Sequence, residues 1–124
     1  MKSTPCARQR CKRPARVNGL CKPHLVMQED TDFSLAIRLR DRECMASKMK
    51  GPWPVMHCKG VLQCAHLISR RYHLTRWYDR NAVGLCAAHH RWLDLHPAHK
   101  EIICEQWLGS EGYHALRMVA IGKP

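Results

Sequence analysis

The chain has 124 residues, room for one domain with a small appendage, and carries a formal net charge of +11 from 21 Lys and Arg against 10 Asp and Glu. A hydrophobic content of 45% argues against wholesale disorder. No apolar run approaches the roughly 18 residues of a membrane span, so no membrane association is expected. The N-terminus lacks the apolar block of a secretory signal, and the eight cysteines therefore favour metal binding or catalysis over disulfides.

Positive charge is concentrated in two stretches. Residues 1–24 carry seven basic and no acidic side chains, and residues 65–100 carry six basic against two acidic ones. Two basic regions indicate two contacts with a polyanion, most simply a nucleic acid. The alternative is a soluble protein that happens to be basic.

The first third of the chain predicts a poorly hydrophobic segment followed by a helix. Residues 1–24 hold few large apolar side chains and cannot bury a core without a staple. Residues 31–43 predict a helix with Phe33 and Ile37 on one face and Asp32 as N-cap. Residues 44–60 contain Gly51, Pro52, Pro54 and Gly60 and predict an irregular loop.

The remaining elements follow from apolar pattern and turn residues. In chain order they are a strand over 61–68, a long loop over 69–80, a short strand or turn over 82–85, a helix from about Ala87, an amphipathic helix over 98–108 and a last helix from Ser110. In the helix over 98–108 we expect Ile102, Ile103, Gln106 and Trp107 to face inward. Gly109 is expected to end this helix. The fold class is thus a small α+β protein.

Four metal-ligand residue types lie within the first 24 positions, spaced Cys6-x4-Cys11-x9-Cys21-x2-His24. Zinc takes four sulfur and nitrogen ligands in a tetrahedron, and its binding would supply the folding energy that this segment lacks. The alternative is a set of scattered thiols in a flexible basic tail. The segment resembles the short zinc knuckles found in small phage proteins. Its basic residues would hold DNA phosphates: Arg8, Arg10, Lys12, Arg13, Arg16 and Lys22.

A second constellation occupies the middle of the chain. His66 ends the predicted strand, Asn81 follows 15 residues later, and Cys86-x2-His89-His90 opens a helix. With these motifs residues 38–120 resemble the HNH endonucleases, or ββα-metal nucleases, of phages. The sequences Gln-Cys-Ala-His-Leu-Ile-Ser-Arg-Arg-Tyr over 63–72 and Trp-Leu-Gly over 107–109 strengthen the resemblance.

This resemblance implies a ββα-metal core, treble-clef-like, with C-terminal helices, and assigns roles to individual residues. His66 would be the general base, Asn81 would hold the loop that orients His66, and His90 would bind one catalytic Mg²⁺ or Mn²⁺. Asp94 lies one helical turn after His90 and would add a ligand. The chain departs from the family at Ala65, where many members have Asp or His as a metal ligand.

The resemblance also implies a second structural zinc. Cys86 and His89 form half of a site, and Cys44 and Cys58 are the expected other half, with residues 45–57 as a looped insertion. Cys64 competes with Cys58, but it shares strand parity with His66 and would face the active site. Cys104 is expected to be a buried thiol in a helix.

The expected organisation is a basic zinc knuckle over 1–30 and a nuclease domain over 31–124, with its core at about 42–97 and C-terminal helices over 98–120. The expected partner is double-stranded DNA, contacted near the core by Arg70, Arg71 and Arg76. Trp77 and Trp92 are expected to be packing residues. The resemblance implies the cytoplasm of a bacterial host, and oligomeric state stays open. The alternatives are a zinc-stabilised DNA-binding module without catalysis and a packaging accessory factor acting with a phage terminase.

Overall fold

A computed structural model describes residues 4–15 and 19–122. Its helices and strands are α1 (Lys22–Asp41), β1 (Leu62–His66), β2 (Ala82–Cys86), α2 (Ala87–Leu95), α3 (Pro97–Leu108) and α4 (Ser110–Ala120), with short 3-10 turns at Met45–Lys48 and Asp79–Asn81. The chain divides into two compact units, Met1–Phe33 and Ser34–Pro124. The division falls within α1.

The protein is a small α+β protein with four helices and one two-stranded sheet in the described part of the chain. Each element predicted after residue 60 is present within a few residues of its expected bounds. The prediction of the first helix was wrong at its start, because α1 begins at Lys22 rather than at residue 31. Pro23 is compatible with this start, since the amide hydrogens of a first helical turn have no partner within the helix. Asp32 is therefore not a cap but lies inside α1, where it accepts a hydrogen bond from Gln28 at 2.9 Å.

The sheet pairs β1 and β2 antiparallel, with Leu62 opposite Cys86 and His66 opposite Ala82. All five residues of β2 are buried. The helix α2 starts directly after β2, so the chain runs strand, long loop, strand, helix over Leu62–His66 to Ala87–Leu95. Because Cys86 lies opposite Leu62, α2 starts beside the beginning of β1, whereas the loop joins the end of β1 to the beginning of β2.

The hydrophobic core of the Ser34–Pro124 unit lies between the sheet and the helices that follow it. Its buried members are Ala46, Met49, Ala65, Leu67, Val83, Leu85, Leu93, Ile103 and Cys104. The expected inward face of α3 was only partly right, since Ile103 is buried while Ile102 is 45% exposed and Gln106 is exposed. Adjacent helical positions differ by about 100° around the axis. Ile103 and Cys104 lie on the buried face, and Ile102 therefore lies towards water.

The looped segment before β1 packs on α3 through a glycine. Gly51 has φ of +144°, and a Cβ at this position would lie 2.4 Å from Cγ1 of Ile103 and 3.3 Å from its Cα. Ile103 is fully buried, so it cannot move aside without disturbing the core. Only glycine satisfies both the backbone angle and the close approach.

We expect Gly51→Ala to lower the free energy of unfolding by about 2–4 kcal/mol through strain and overpacking. Urea unfolding followed by circular dichroism measures this change. Gly112→Ala is the matched control, because the nearest atom to its added Cβ is Leu108 Cβ at 3.7 Å, and alanine favours a helix. Equal unfolding midpoints for the two variants would contradict the expected clash.

Candidate metal centres and the His–Asn–His site

The first metal centre is built from Cys6, Cys11, Cys21 and His24, whose ligand atoms all lie within 4.8 Å of one another. A bridge between Pro5 and Pro14 closes a small hairpin that carries Cys6 and Cys11. Cys21 directly precedes α1, and His24 lies in its first turn, so the helix start turns both ligands to one side.

The spacing of these atoms fits a tetrahedral zinc ion. Two thiolates bound at about 2.3 Å to a tetrahedral zinc lie about 3.8 Å apart, and a thiolate and an imidazole nitrogen about 3.5 Å apart. The Cys11 and Cys21 sulfurs are 3.8 Å apart, and His24 Nδ1 is 3.2 Å from each of the Cys6 and Cys21 sulfurs. A disulfide needs about 2.0 Å between sulfurs, and all eight cysteines are free thiols. The cluster can therefore hold zinc.

The Met1–Phe33 unit has little else to stabilise it. Among its described residues only Cys6 and Cys21 are buried. A segment without an apolar core folds when a metal supplies the missing free energy. The two buried side chains are thus ligands rather than core residues.

The second metal centre joins Cys44, Cys58, Cys86 and His89, again with all ligand atoms within 4.8 Å. His89 Nδ1 is 3.7 Å from the Cys44 and Cys58 sulfurs and 3.0 Å from the Cys86 sulfur. This set is the one expected from the sequence, and it includes Cys58 rather than Cys64. Cys64 stands outside the cluster, where burial raises its pKa to about 11 and keeps it a neutral thiol.

One cysteine in each cluster has a lowered pKa and therefore ionises more readily than a free thiol. Burial opposes ionisation of Cys6, yet backbone hydrogen bonds from Cys21 and Arg8 and the side chains of His24 and Cys21 outweigh it and lower the pKa to about 6. Burial likewise opposes ionisation of Cys86, but the backbone and side chain of His89 and the backbone of Lys59 lower its pKa to about 6. Thiolate is the form that binds zinc.

The insertion between Cys44 and Cys58 covers the second cluster with an aromatic ring. Trp53 meets His89 edge to face at 5.5 Å between ring centroids, and its Nε1 donates to the Met49 carbonyl at 3.0 Å. Trp92 also contacts Trp53, with ring centroids 5.5 Å apart, and packs against the core as expected. The Trp53 ring thus joins the insertion to a zinc-ligand candidate and to the core.

Both centres use the same short motif, which sequence reasoning did not exploit. Gly-Leu-Cys-x2-His occurs at 19–24 and again at 84–89. In both copies the cysteine precedes a helix and the histidine lies in its first turn. Cys86 also accepts a hydrogen bond from the His89 amide at 3.4 Å and so serves as the N-cap of α2. This repeated motif is a local signal that could have identified the early start of α1.

Asn81 pins the loop that joins the two strands. Its side chain is fully buried. Its Oδ1 accepts from the Ile68 amide at 2.7 Å, and its Nδ2 donates to the carbonyls of Ile68 and Thr75, both at 3.0 Å. Its own carbonyl accepts from the Leu67 amide at 2.9 Å. One side chain thus closes the loop onto the end of β1.

His66 lies beside this loop at the end of β1 and is half-buried. Its Nε2 is 2.8 Å from the Arg76 carbonyl oxygen. A carbonyl oxygen only accepts hydrogen bonds, so Nε2 carries the proton and the lone pair of a neutral ring is on Nδ1. A neutral ring in this tautomer can accept a proton at Nδ1.

His90 and Asp94 lie one turn apart on α2, with 3.2 Å between His90 Nε2 and Asp94 Oδ2. On the other side of the ring, His90 Nδ1 contacts Gln63 Oε1 at 2.8 Å, and a carboxamide oxygen only accepts. Nδ1 therefore carries the proton, and the lone pair of a neutral ring is on Nε2. A proton or a cation can be shared between Nε2 and the Asp94 carboxylate. Burial, Lys100 and Arg70 lower the pKa of His90, although Asp94 opposes this.

The distance between the two ligand atoms is compatible with a hard divalent cation, since two neighbouring ligands at about 2.1 Å in an octahedron lie about 3.0 Å apart. Asp94 also pairs with Lys100 at 3.0 Å.

His66 does not join His90 and Asp94 in a third compact cluster. The described residues form only the two Cys/His groups above at that spacing. Ala65 is fully buried in the core and adds no ligand.

An ion pair at the end of α1 fixes β2, and nothing in the sequence pattern indicated it. Asp41 accepts from the Gly84 amide at 2.7 Å and pairs with Arg40 at 2.8 Å. Arg40 donates in turn to the carbonyls of Asp79 and Ala82 at 2.9 and 2.8 Å, on both sides of Asn81. The pair raises the pKa of Arg40, and Asp41 remains ionised because Arg40 and the Gly84 amide outweigh its burial.

The expected phosphate-binding residues lie mostly at the surface. In the Met1–Phe33 unit the exposed ones are Arg8, Arg10, Lys12, Arg13 and Lys22, while Arg16 lies outside the described residues. Arg8 also donates to Gln28 at 3.3 Å. In the Ser34–Pro124 unit Arg70 and Arg71 are exposed and Arg76 is half-buried.

Within the described residues, every helix is too short or too polar to cross a membrane. Comparison of the chain with protein-family models, curated proteins and solved structures gave no match.

Proposed function

We propose that this protein is a metal-dependent DNA endonuclease of the HNH type, stabilised by two structural zinc ions. The observation that carries the proposal is the arrangement of His66 and Asn81. Buried Asn81 ties the loop to the end of β1, and the loop holds the His66 ring by the Arg76 carbonyl. A histidine whose Nε2 is held by a backbone carbonyl has the lone pair of its neutral ring on Nδ1, and such a ring is suited to general-base catalysis.

The proposed reaction is hydrolysis of a phosphodiester bond. Nδ1 of His66 takes a proton from a water molecule as the water oxygen attacks phosphorus. The bond from phosphorus to the 3′ oxygen breaks, and that oxygen takes a proton from solvent. The products are a 5′-phosphate and a 3′-hydroxyl, and a single copy of the site cuts one strand at a time.

His90 and Asp94 would hold a Mg²⁺ or Mn²⁺ ion, with one nitrogen and one oxygen 3.2 Å apart. When bound, such an ion neutralises charge on the phosphate and on the leaving oxygen. Gln63 Oε1 holds the Nδ1 side of the His90 ring at 2.8 Å and so directs Nε2 towards Asp94. Few protein ligands are needed, because Mg²⁺ retains waters and substrate oxygens in its shell.

Exposed basic side chains would bind the DNA backbone. Five of them surround the first metal centre and would hold phosphates without reading sequence. Arg70 and Arg71 are exposed in the loop that follows β1, next to the proposed base. Binding is therefore expected to weaken steeply as salt rises.

The test is nicking of supercoiled plasmid with Mg²⁺ or Mn²⁺. We expect His66→Ala to reduce the nicking rate about 10²- to 10⁴-fold, since the general base is lost. His114→Ala, an exposed histidine on α4, is the matched control and should nick like the wild type. Equal nicking by His66→Ala and His114→Ala would refute the proposed function.

A DNA-binding module without catalysis is the second candidate. Burial of Ala65 at the place where relatives of the proposed family carry a ligand favours it. This candidate predicts salt-sensitive DNA binding by both the wild type and His66→Ala, with no nicking by either at any divalent ion tested.

A further inference from the structure

The loop over residues 69–80, named the arginine–aromatic loop, presents an unusual surface. It contains four arginines and one acidic residue, Asp79. Its exposed side chains include large apolar ones next to the charges: Arg70, Arg71, His73, Leu74, Trp77, Tyr78 and Arg80. Large apolar groups clustered at a surface indicate a binding partner, and the charge indicates that the partner is anionic.

Buried side chains and backbone hydrogen bonds anchor the loop. Thr75 within the loop and Asn81 directly after it are fully buried. Successive turns are closed by backbone hydrogen bonds from Tyr72 to Ser69 at 3.1 Å, from Tyr78 to Thr75 at 3.2 Å and from Asn81 to Tyr78 at 2.8 Å. A surface that is already ordered loses little entropy when it binds.

Two aromatic rings of the loop each lie next to the guanidinium group of a neighbouring arginine. The Arg76 guanidinium carbon is 5.9 Å from the Trp77 ring centroid, and that of Arg71 is 5.0 Å from the Tyr72 centroid. Trp77 is 40% exposed, which differs from the expectation that it is a packing residue. Aromatic rings interleaved with arginines are typical of surfaces on which unpaired bases stack while arginines bind the phosphates.

Trp77 lies close to the proposed base in the chain. The carbonyl of the preceding residue, Arg76, is 2.8 Å from His66 Nε2. The backbone next to Trp77 thus contacts the proposed base, so a strand bound at Trp77 would lie in the same part of the molecule as His66. The partner needs both flat apolar faces and negative charge, and every nucleotide of a nucleic acid supplies both, as a base and a phosphate.

We propose that Trp77 stacks on an unpaired DNA base, so that the preferred substrate is duplex DNA with a locally unpaired strand, such as a gap, bulge or fork. This inference rests on the proposed function for the role of His66, but binding alone can test it. Fully paired duplex would be held by its phosphates only.

The experiment measures dissociation constants by fluorescence anisotropy in the His66→Ala background, which prevents cleavage. The probes are a fully paired DNA duplex, the same duplex with a two-base bulge, the single DNA strand and the matching single RNA strand. We expect Trp77→Ala to weaken binding of the bulged duplex and the single DNA strand about 5- to 100-fold and to leave the paired duplex unchanged. Trp77→Phe should restore most of the loss because it retains a ring.

Ile102→Ala is the control for loss of an exposed apolar side chain outside the loop and should bind all probes normally. Equal effects of Trp77→Ala on paired and unpaired DNA, no effect on either, or tighter binding of RNA than of single-stranded DNA would each overturn the inference. Failure of the wild type to nick plasmid would remove the proposed function alone. Thermal unfolding of each variant verifies that it is folded.

Discussion

Cys86→Ser is expected to lower the zinc content from two ions per chain to one and to unfold the Ser34–Pro124 unit. Cys86 ends β2, caps α2 and lies 3.0 Å from His89 Nδ1. Binding of a structural zinc is worth about 10–16 kcal/mol in small domains. A typical domain has only about 5–15 kcal/mol of total stability, so loss of one ligand removes most of it.

Serine is chosen because it isolates the metal. Its hydroxyl can accept the His89 amide hydrogen bond and keep the N-cap of α2, but it binds zinc poorly. Elemental analysis of the purified protein measures zinc, and circular dichroism measures the loss of helix. The remaining ion belongs to the first centre, whose ligands are unchanged.

Cys64→Ser is the matched control, since Cys64 is a half-buried thiol outside both clusters. It should keep two zinc ions and its helical signal. Retention of two ions by Cys86→Ser, or loss of an ion from Cys64→Ser, would show that the second centre is assembled from other residues.

Asn81→Asp is expected to destabilise the protein by about 3–5 kcal/mol and to reduce nicking strongly. The variant keeps the shape of the side chain and the acceptor for the Ile68 amide. It replaces two donors by an oxygen that faces the Ile68 and Thr75 carbonyls, both at 3.0 Å in the native protein. Two buried carbonyls lose their hydrogen bonds and a charge is buried without a partner.

Thr75→Val is the control in the same loop. Its hydroxyl bond to the Tyr72 carbonyl is long, at 3.4 Å, so we expect a cost of only about 1 kcal/mol. Urea unfolding with saturating zinc measures both variants, and plasmid nicking measures the position of His66. If the two variants unfold alike, Asn81 does not pin the loop.

The order of the elements could be predicted because it depends on short stretches of chain. The apolar run over 61–68 and the pattern after Pro97 produce the observed strand and helices. The start of α1 was missed because the helix was predicted from the apolar pattern of Phe33 and Ile37, which begins after residue 30. In both metal centres the last two ligands belong to a helix start, where a cysteine and a histidine three positions apart face the same side.

The second metal centre required a choice between two cysteines as the fourth ligand. Cys58 and Cys64 are both plausible partners by type, and strand parity favoured Cys58. In the structure Cys58 belongs to the cluster, whereas Cys64 lies within β1 and outside it. Strand parity left Cys64 as an open alternative, and the assembled cluster decided between the two cysteines.

The contacts that decide the site chemistry could not be predicted. Gln63 meets His90 across 27 positions, and Asp41 reaches Gly84 across 43 positions. Neither pair has a periodic or spacing signal, because each depends on where separate elements pack. The exposure of Trp77 is equally a result of how the loop closes over Thr75 and Asn81.

By itself the sequence determined the elements after residue 60, the positive charge and the ligands of the first Cys₃His centre, since these depend on short stretches of chain; the ligands of the second centre were expected from the family resemblance. The tertiary structure alone decided the tautomer of His66, the support of His90 by Gln63 and the exposure of the arginine–aromatic loop. These depend on hydrogen bonds and packing between residues far apart in the chain, and such contacts exist only once the strands and helices have come together.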